Sequence, residues 1–401
     1  MDLLTKSMDH IPEISVLLAN FNGAKYLRDS IVSILNQTVN HWELIIIDDG
    51  STDDSINIIR EFILQDSRVI LISNPVNLGT SIALNKGLSI SRGRLITRQD
   101  CDDISEPSRL EEQAGFLENH PECVAVSTPA TLIQADGSTI KTDFTKTSEE
   151  IKNTLLDKMC ICGPTLMVRR NAFEKIGMFF SEDLSYTEDY DLSLRISEVG
   201  EIGNLLHPLY LYRQHSESVS NAKRFQQLYN KAIAVERALT RRFGEQSPTH
   251  VLNLLARDFI RASVVAYLQP DDRSKAGNCI QKAINYSPNI LSDESLLSNI
   301  LEHYAPKNDP KSAIEFLDYF NEVLIYNPDL KKERRKFLAR YHMEAALTSL
   351  QDHNLKNFEH HLWKGIESDP SWLTNRGILS VIARLGLKKL GFPVKLTGKS
   401  I

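Results

Sequence analysis

The sequence is poor in cysteine, and its few cysteines are not arranged in pairs. It has 5 cysteines among 401 residues, and no two of them form a C-x-x-C motif. This argues against a disulfide framework and against the common zinc sites. We therefore expect a protein of a reducing compartment, the cytoplasm. The first ten residues carry charges and no apolar core, so we do not expect a signal peptide.

The sequence also lacks an excess of positive charge, long apolar runs and glycine-rich phosphate loops. The net charge is −6, which gives no general electrostatic basis for binding nucleic acid. No apolar run approaches the roughly 18 residues of a membrane-spanning helix. Neither G-x-G-x-x-G nor G-x-x-x-x-G-K-[ST] follows a predicted strand. These absences argue against a dinucleotide-binding dehydrogenase and a P-loop nucleotide hydrolase.

The first half of the chain alternates between two hydrophobic patterns. Short aliphatic runs, each followed by apolar residues at helical spacing, occur at 14–19, 44–47, 69–72 and 95–97. This alternation is typical of an α/β fold with a doubly wound, mainly parallel sheet. Further strands are predicted at 124–126, 163–168 and 208–213, so the complete sheet is expected to be mixed.

Polar residues follow three of the predicted strands, where ligands of such sheets bind. They are Asn20-Phe21-Asn22, Asp48-Asp49 and Asp100-Cys101-Asp102-Asp103. Three carboxylates within four residues favour a hard divalent cation such as Mg²⁺ or Mn²⁺, which also binds substrate phosphates. An acidic turn that starts a helix is the alternative.

A second acidic group, Glu188, Asp189 and Asp191, begins a helical pattern. Carboxylates in a first turn are stabilised by free N–H groups and by the helix dipole. From the residues alone, this structural role and a catalytic role both remain open.

The second half of the chain, from about residue 221, has long helical patterns. Three similar phrases end at Pro288, Pro328 and Pro370, which are 40 and 42 residues apart. They favour stacked helical hairpins similar to tetratricopeptide repeats, with an ordinary helical bundle as the alternative. We therefore predict an α/β domain at 1–220 and an all-α domain at 221–401. The helical domain is also a candidate for self-association.

The order of motifs in the first 220 residues resembles that of family 2 glycosyltransferases, which are inverting enzymes with the GT-A nucleotide-sugar fold. The motifs are Ser15 to Asn22, Gln37-Thr38, Asp48 to Ser51, Asn77-Leu78-Gly79, Ala83-Leu84-Asn85, Asp100 to Asp103, Glu188-Asp189 and Tyr212-Arg213-x-His215. The resemblance implies transfer of a sugar from a nucleotide-diphosphate donor, with UDP expected, to an acceptor hydroxyl.

The resemblance also implies roles for individual residues. Asp189 corresponds to the general base, and Glu188 beside it is expected to be a second catalytic residue. Asp102, Asp100 and His215 correspond to ligands of Mn²⁺ or Mg²⁺, although His215 could equally be a surface histidine. Phe21 stands where the family commonly has a tyrosine that packs against the base of the nucleotide. The donor-binding positions implied are Ala19, Asn20, Phe21, Asn22, Asp49, Asn77, Asn85, Asp100 and Cys101.

Two other functions fit parts of the sequence. A nucleotidyltransferase shares the α/β architecture, but Asn20 to Gly23 lacks its basic, glycine-rich loop. An inactive transferase domain on a helical-repeat scaffold is the second alternative, and the intact Asp100, Asp102 and Asp189 argue against it. For the transferase, the expected acceptor is a glycan or lipid-linked glycan, as in polysaccharide biosynthesis.

The segment 378–391 near the C-terminus is apolar with interspersed basic residues and no acidic residue. A basic amphipathic helix can lie on an anionic membrane surface. We expect either peripheral attachment to the inner face of the membrane through this segment or docking of its apolar face on the preceding helices.

Overall fold

The computed structural model describes residues 11–134, 136–142, 146–177, 179–214, 223–288 and 354–384, with single positions and short runs between 290 and 350. The chain divides into two compact units. One holds the described residues up to Ala262 together with Asn285–Ser287, and the other holds Ser263–Ile284 and the described residues from Pro288 onwards. This division follows packing, whereas the predicted boundary at residue 220 follows the change from strands to helices.

Helices alternate with single strands or small groups of strands up to residue 213, and the described elements from Arg224 onwards, in both units, are helices. The strands are β1 Ile14–Asn20, β2 Trp42–Asp48, β3 Val69–Ser73, β4 Leu95–Asp100, β5 Ile104–Ser105, β6 Cys123–Ser127, β7 Ala130–Ile133, β8 Thr139–Lys141, β9 Met167–Arg169, β10 Glu201–Asn204 and β11 Tyr210–Arg213. The helices are α1 Ala24–Leu35, α2 Ser55–Gln65, α3 Thr80–Ile90, α4 Arg109–Asn119, α5 Ser148–Thr154, α6 Arg170–Lys175, α7 Glu188–Val199, α8 Arg224–Phe243, α9 Thr249–Leu268, α10 Ala276–Tyr286, α11 Leu355–Ser368 and α12 Arg376–Arg384.

The main sheet is mixed, with the strand order β10-β6-β9-β4-β1-β2-β3. Strands β4, β1, β2 and β3 are parallel neighbours, and β9 runs antiparallel between β4 and β6. The aliphatic residues 44–47 of β2 are completely buried, because helices cover both faces of this part of the sheet. The predicted α/β fold with a mixed sheet and a helical C-terminal part is confirmed.

The predicted strand at 163–168 is wrong in its first half. Gly163–Thr165 forms a 3-10 turn, and β9 starts only at Met167. Pro164 has no N–H to give to a sheet. The single O–H of Thr165 lies within donating distance of the carbonyls of Cys162, at 2.8 Å, and Thr128, at 3.0 Å. The turn brings Gly163 to the carboxyl edge of the sheet.

A second sheet has the order β5-β11-β7-β8. Its strand β5 directly follows the acidic stretch, and β11 pairs with it, with Tyr210 opposite Ser105. Strands β7 and β8 pair antiparallel, and the turn between them contains Gly137 at φ +81°.

Helix α8 packs against α7 within the first unit. The Arg241 guanidinium forms two bonds with the Glu198 carboxylate, at 2.7 and 2.9 Å. At the other end of α8, the Asn230 side chain donates to the Ser185 carbonyl at 2.8 Å. The loop that leads into α7 is therefore held by α8.

The helical repeats stay a prediction. The first and third phrases close α10 and α11, and the middle phrase, 323–328, lies outside the described residues. Ile378 is 5% exposed and packs in a cluster with Phe358, Leu362 and Ile366, so the described start of the segment 378–391 contacts α11. Residues 385–391 lie outside the described part. Among the described helices, none is long and apolar enough to cross a membrane.

Candidate active site

The carboxyl ends of β1, β2 and β4 lie side by side at one edge of the main sheet. In the parallel pairing, Asn20 is opposite Asp48, and Ala19 is opposite Asp100. The polar residues that follow these strands are therefore neighbours in space, as the carboxyl-end rule for such sheets predicts. Ala19 is a half-buried member of β1 at this edge.

Asparagine side chains tie the loops after β1 and β2 together. The Asn20 amide donates to Asp48 Oδ1 at 2.9 Å and to Ser51 Oγ at 3.1 Å. The Asn22 N–H donates to Ser51 Oγ at 2.9 Å, and Asn22 Oδ1 accepts from the Thr52 N–H at 2.8 Å. These bonds fix both ends of the short segment between Asn20 and Asn22.

Phe21 lies between the two anchored asparagines and is 47% exposed. Asn22 has φ +52°, a left-handed conformation that asparagine tolerates better than most residues. The chain can therefore turn sharply from β1 towards α1 while the phenyl ring stays at the surface. An exposed ring on a fixed backbone offers a flat apolar face for stacking.

Asp49 is only 3% exposed, and its carboxylate is largely engaged within the chain. Its Oδ1 accepts from the Asn74 amide at 2.7 Å, and its Oδ2 accepts from the N–H groups of Leu78 and Gly79, at 3.0 and 2.7 Å. A carboxylate has about four acceptor positions. Asp49 therefore fixes the loop between β3 and α3, which leaves about one position for a ligand.

Gly50 packs directly against the same loop. It has φ +77°, and a Cβ at this position would lie 2.6 Å from the carbonyl carbon of Val76 and 2.9 Å from the nitrogen of Asn77. No other residue fits this close approach. Asn77 itself is exposed, and its side chain accepts from the Gly79 N–H at 3.0 Å.

Asn85 contacts the loop before α7. Its amide donates to the Phe180 carbonyl at 2.9 Å, and its Oδ1 accepts from the Phe180 N–H at 2.7 Å. Asn85 also donates to Glu182 at 3.2 Å. The structure thus gives this predicted donor-binding residue a clamping role between α3 and the segment that leads to Glu188.

Asp100 and Arg98 form a short ion pair at the end of β4. Residues two apart in a strand point to the same face, and Arg98 Nε lies 2.5 Å from Asp100 Oδ1. Burial raises the pKa of the Asp100 carboxyl, and Arg98 opposes this rise while the neighbouring Asp102 adds to it. Asp102 is partly exposed at the same edge.

The other members of the acidic stretch turn towards the interior. Asp103 is 1% exposed, and its Oδ1 accepts from the Arg213 N–H at 2.8 Å. Burial and the charges of Asp100 and Asp102 hold the pKa of Asp103 well above its usual range. Cys101 packs beside the main apolar core, and burial raises the pKa of its thiol.

Glu188 and Asp189 begin α7 with different surroundings. Glu188 is 6% exposed, and its Oε1 lies 3.1 Å from Arg98 Nη1. Asp189 is partly exposed, and its Oδ1 accepts from the Tyr190 N–H at 2.7 Å. Burial and the charge of Glu188 raise the pKa of Asp189 to about 6, although Arg98 lowers it. Asp189 is therefore well placed to exchange a proton near neutral pH.

Gly163 lies against the Asp189 carboxyl group. A Cβ at Gly163 would lie 2.9 Å from both Cβ and Cγ of Asp189, and closer still to its Oδ2. The absence of a side chain at Gly163 thus makes room for Asp189.

Arg109 is completely buried behind the site. Its Nη2 donates to Thr97 Oγ1 at 2.7 Å, to the Arg98 carbonyl at 2.9 Å and to the Pro164 carbonyl at 3.2 Å. The guanidinium therefore joins the end of β4 to the turn that carries Gly163.

Sequence reasoning gave no role to Arg98, Arg109 or Gly163. The two-residue spacing of Arg98 and Asp100 was a usable signal for one ion pair. The contacts of Gly163 and Arg109 depend on residues that lie far away in the chain, and no local pattern indicates them.

Within the described residues, no group of three or more His, Cys, Asp or Glu side chains is arranged to hold a metal ion. His215 lies outside them. Asp102 and Asp100 supply carboxylate oxygens at the edge. This donor set fits Mg²⁺ or Mn²⁺, because these ions commonly take one or two carboxylates and complete their coordination with waters and substrate phosphates.

Comparison with known proteins agrees with the motif pattern. A model of glycosyl transferase family 2 matches residues 15–177. An uncharacterized glycosyltransferase of Haemophilus influenzae is 29% identical over 334 residues, which are 81% of this chain and 98% of that protein. The putative glycosyltransferase EpsE of Bacillus subtilis is 33% identical over 265 residues, which are 64% of this chain and 93% of EpsE.

One solved structure with partial similarity is that of S. aureus TarS 1-349 in complex with UDP-GlcNAc. It shares 14% identity with a TM-score of 0.46, over 87% of this chain and 90% of that one. The identification rests on the family match and on EpsE, which this chain covers almost completely. On that basis, the chain belongs to glycosyl transferase family 2.

Proposed function

We propose that this protein is an inverting glycosyltransferase that moves a sugar from a UDP-linked donor to a hydroxyl of a glycan or lipid-linked glycan. One observation carries the proposal. A surface-exposed aromatic ring at Phe21, the carboxylates of Asp100 and Asp102, and the partly buried Asp189 belong to loops and helix starts around one sheet edge. Family membership supports the reaction class. The UDP donor, the inversion and the glycan acceptor extend what the resemblance to inverting transferases implies.

The proposed reaction is a single displacement. The acceptor oxygen forms a bond to the anomeric carbon while the bond from that carbon to the diphosphate oxygen breaks, and the electron pair leaves with UDP. Asp189 takes the proton of the acceptor hydroxyl. Attack opposite to the leaving group inverts the anomeric centre, so no enzyme nucleophile is required.

Asp102, with Asp100, would hold the divalent cation. When bound, such a cation neutralises charge on the leaving diphosphate. Phe21 offers its ring to the base, and Asp49 keeps the loop at 74–79 in place and offers its remaining acceptor position.

The Asp102→Ala variant should lose the dependence of UDP binding on Mn²⁺, and turnover should fall by at least about 100-fold, since a metal supplies several kcal/mol of charge stabilisation. Calorimetric titration with UDP, with and without Mn²⁺, measures the first effect. Asp136→Ala, which removes an exposed turn carboxylate, is the control. Unchanged Mn²⁺-dependent binding by Asp102→Ala would rule out this ligand.

The Asp49→Ala variant should bind UDP about 10- to 100-fold more weakly, because hydrogen bonds to a charged group contribute about 1.5–3 kcal/mol. The variant loses the proposed contact with the uracil base and also the hydrogen bonds that fix the loop at 74–79. Turnover at saturating donor should change much less. Native UDP affinity in this variant, measured by calorimetry, would remove Asp49 from the binding site.

A screen of nucleotide sugars tests the proposed function. The purified protein is incubated with UDP-, GDP- and dTDP-linked sugars and Mn²⁺, and release of the nucleoside diphosphate is recorded. We expect release from a UDP-sugar. A parallel incubation contains nucleoside triphosphates and sugar phosphates in place of the nucleotide sugars. Release of pyrophosphate in this incubation would indicate a nucleotidyltransferase. Inactivity with every donor would favour an inactive domain on a helical scaffold.

The cellular setting is part of the proposal. We infer a cytoplasmic enzyme of polysaccharide biosynthesis, with peripheral attachment to the membrane through 378–391 and self-association through the helical domain as further proposals. The burial of Ile378 against α11 favours docking for the first turn of that segment. Co-sedimentation with anionic liposomes, with and without residues 375–401, tests the membrane contact.

A further inference from the structure

Arg98 connects two parts of the candidate site that are distant in the chain. Its Nε contacts Asp100 at the end of β4, at 2.5 Å, and its Nη1 contacts Glu188 at the start of α7, at 3.1 Å. The side chains of Arg98, Asp100 and Glu188 are 17%, 19% and 8% exposed. The guanidinium therefore forms a mostly buried bridge between two carboxylates.

The bridge has consequences for the neighbouring Asp189. Leaving the buried Glu188 carboxylate without a cation would be costly, so that it would swing away towards solvent. This movement would disturb the first turn of α7, and Asp189 is the next residue. A displacement of about 1 Å at a reacting group can reduce turnover about 100-fold.

Only a planar fork suits this bridge. Two different nitrogens of one guanidinium contact the two carboxylates, in fixed directions. A lysine would keep the charge but has a single ammonium nitrogen, so it cannot reproduce both contacts with the same geometry.

We propose that Arg98 is a positioning residue that couples the donor side of the site, at Asp100, to the base side, at Glu188 and Asp189. The inference rests on the proposed function and deepens it. It assigns Glu188 the role of an anchor for α7, which differs from the catalytic role that the sequence implied.

Arg92 provides a matched control at the opposite end of the sheet. Its Nη2 lies 2.9 Å from Glu43 Oε2, and the Glu43 side chain is 2% exposed. Arg92→Lys thus weakens an arginine pair with a buried glutamate, away from the strands' carboxyl ends, at an arginine that is 56% exposed and contacts a single carboxylate.

The test compares native protein, Arg98→Lys, Glu188→Gln, the double variant and Arg92→Lys. UDP binding in Mn²⁺ is measured by calorimetry, and turnover is measured as UDP release from UDP-glucose, UDP-galactose and UDP-N-acetylglucosamine. We expect Arg98→Lys to bind UDP within about threefold of native and to lose about 10- to 100-fold in kcat. When Glu188→Gln is already present, Arg98→Lys should reduce kcat by a clearly smaller factor. Arg92→Lys should keep native kcat.

Three results would overturn the proposal. Arg98→Lys could turn over like the native protein. Its loss could equal that of Arg92→Lys, which would show a general effect on the fold. The loss of kcat in the double variant could equal the product of the losses in Arg98→Lys and Glu188→Gln, which would show that the two residues are not coupled. A native protein that releases UDP from no donor would instead contradict the proposed function, and this inference with it.

Discussion

The Asp189→Asn variant is expected to bind UDP as tightly as the native protein and to lose about 10²- to 10⁴-fold in kcat, the usual contribution of a positioned general base. The amide keeps the size of the carboxyl group beside Gly163 but cannot take the proton from the acceptor hydroxyl. The loss should therefore appear in the chemical step and not in donor affinity. Calorimetry with UDP and the rate of UDP release separate the two effects.

Asp183→Asn is the matched control for this variant. Asp183 lies six residues before Asp189, is largely exposed and pairs with Arg237, so its amide variant should keep native kcat. If Asp189→Asn also turned over normally, Asp189 would serve only as a first-turn residue that stabilises α7.

The same base predicts a pH dependence. As the proposed base, Asp189 would act in its ionised form, and burial and Glu188 raise its pKa to about 6. Activity should therefore be full above this pH and fall as the pH drops through it, to about a tenth at pH 5. The acid limb of kcat/KM for UDP release reports this value for the free enzyme. A flat profile between pH 5 and 7 would contradict the assignment.

The Gly163→Ala variant is expected to lose about 100-fold in kcat, as for a base displaced by about 1 Å. A methyl group at this position would lie 2.9 Å from Cβ and Cγ of Asp189 and closer to its Oδ2. The nearest neighbour is the carboxyl group of Asp189, the proposed base, so relief of the contact would displace it. UDP binding should change little, because Gly163 lies on the base side.

Gly115→Ala is the control for this change. Gly115 lies in α4, and no atom lies within 4 Å of the position of an added Cβ. Alanine there should raise the free energy of unfolding by about 0.5–1 kcal/mol without affecting kcat. If Gly163→Ala retained native kcat while remaining folded, Asp189 would not depend on this contact.

Much of the fold could be predicted from local sequence because the signals are local. Strands β1, β2 and β4 are mostly buried and β3 is a partly buried edge strand, and all four contain short aliphatic runs. The aliphatic run of β4 ends at Ile96, but the strand continues through polar residues to Asp100. The turn at Gly163 was missed because the apolar run continues through it to Val168. What breaks the strand is the missing N–H of Pro164 and the hydroxyl bonds of Thr165 to Thr128, 37 residues away.

The motif order gave candidate positions for the site, among them Asp49, Asp100 and Asp189, whose functional roles stay predictions. It did not indicate that Asp49 accepts three hydrogen bonds from the β3–α3 loop, or that Asn85 bonds to the backbone of Phe180. It also could not link Arg98 to Glu188, because only the tertiary fold brings residues 90 positions apart within 3.1 Å.

The most direct test of the central claim is the configuration of the sugar released from an α-linked UDP-sugar in the absence of another acceptor. Proton NMR recorded during hydrolysis distinguishes the two anomers before they equilibrate. The account predicts that the β-anomer forms first, since water activated by Asp189 attacks opposite to the diphosphate. Initial release of the α-anomer would contradict the single inverting displacement.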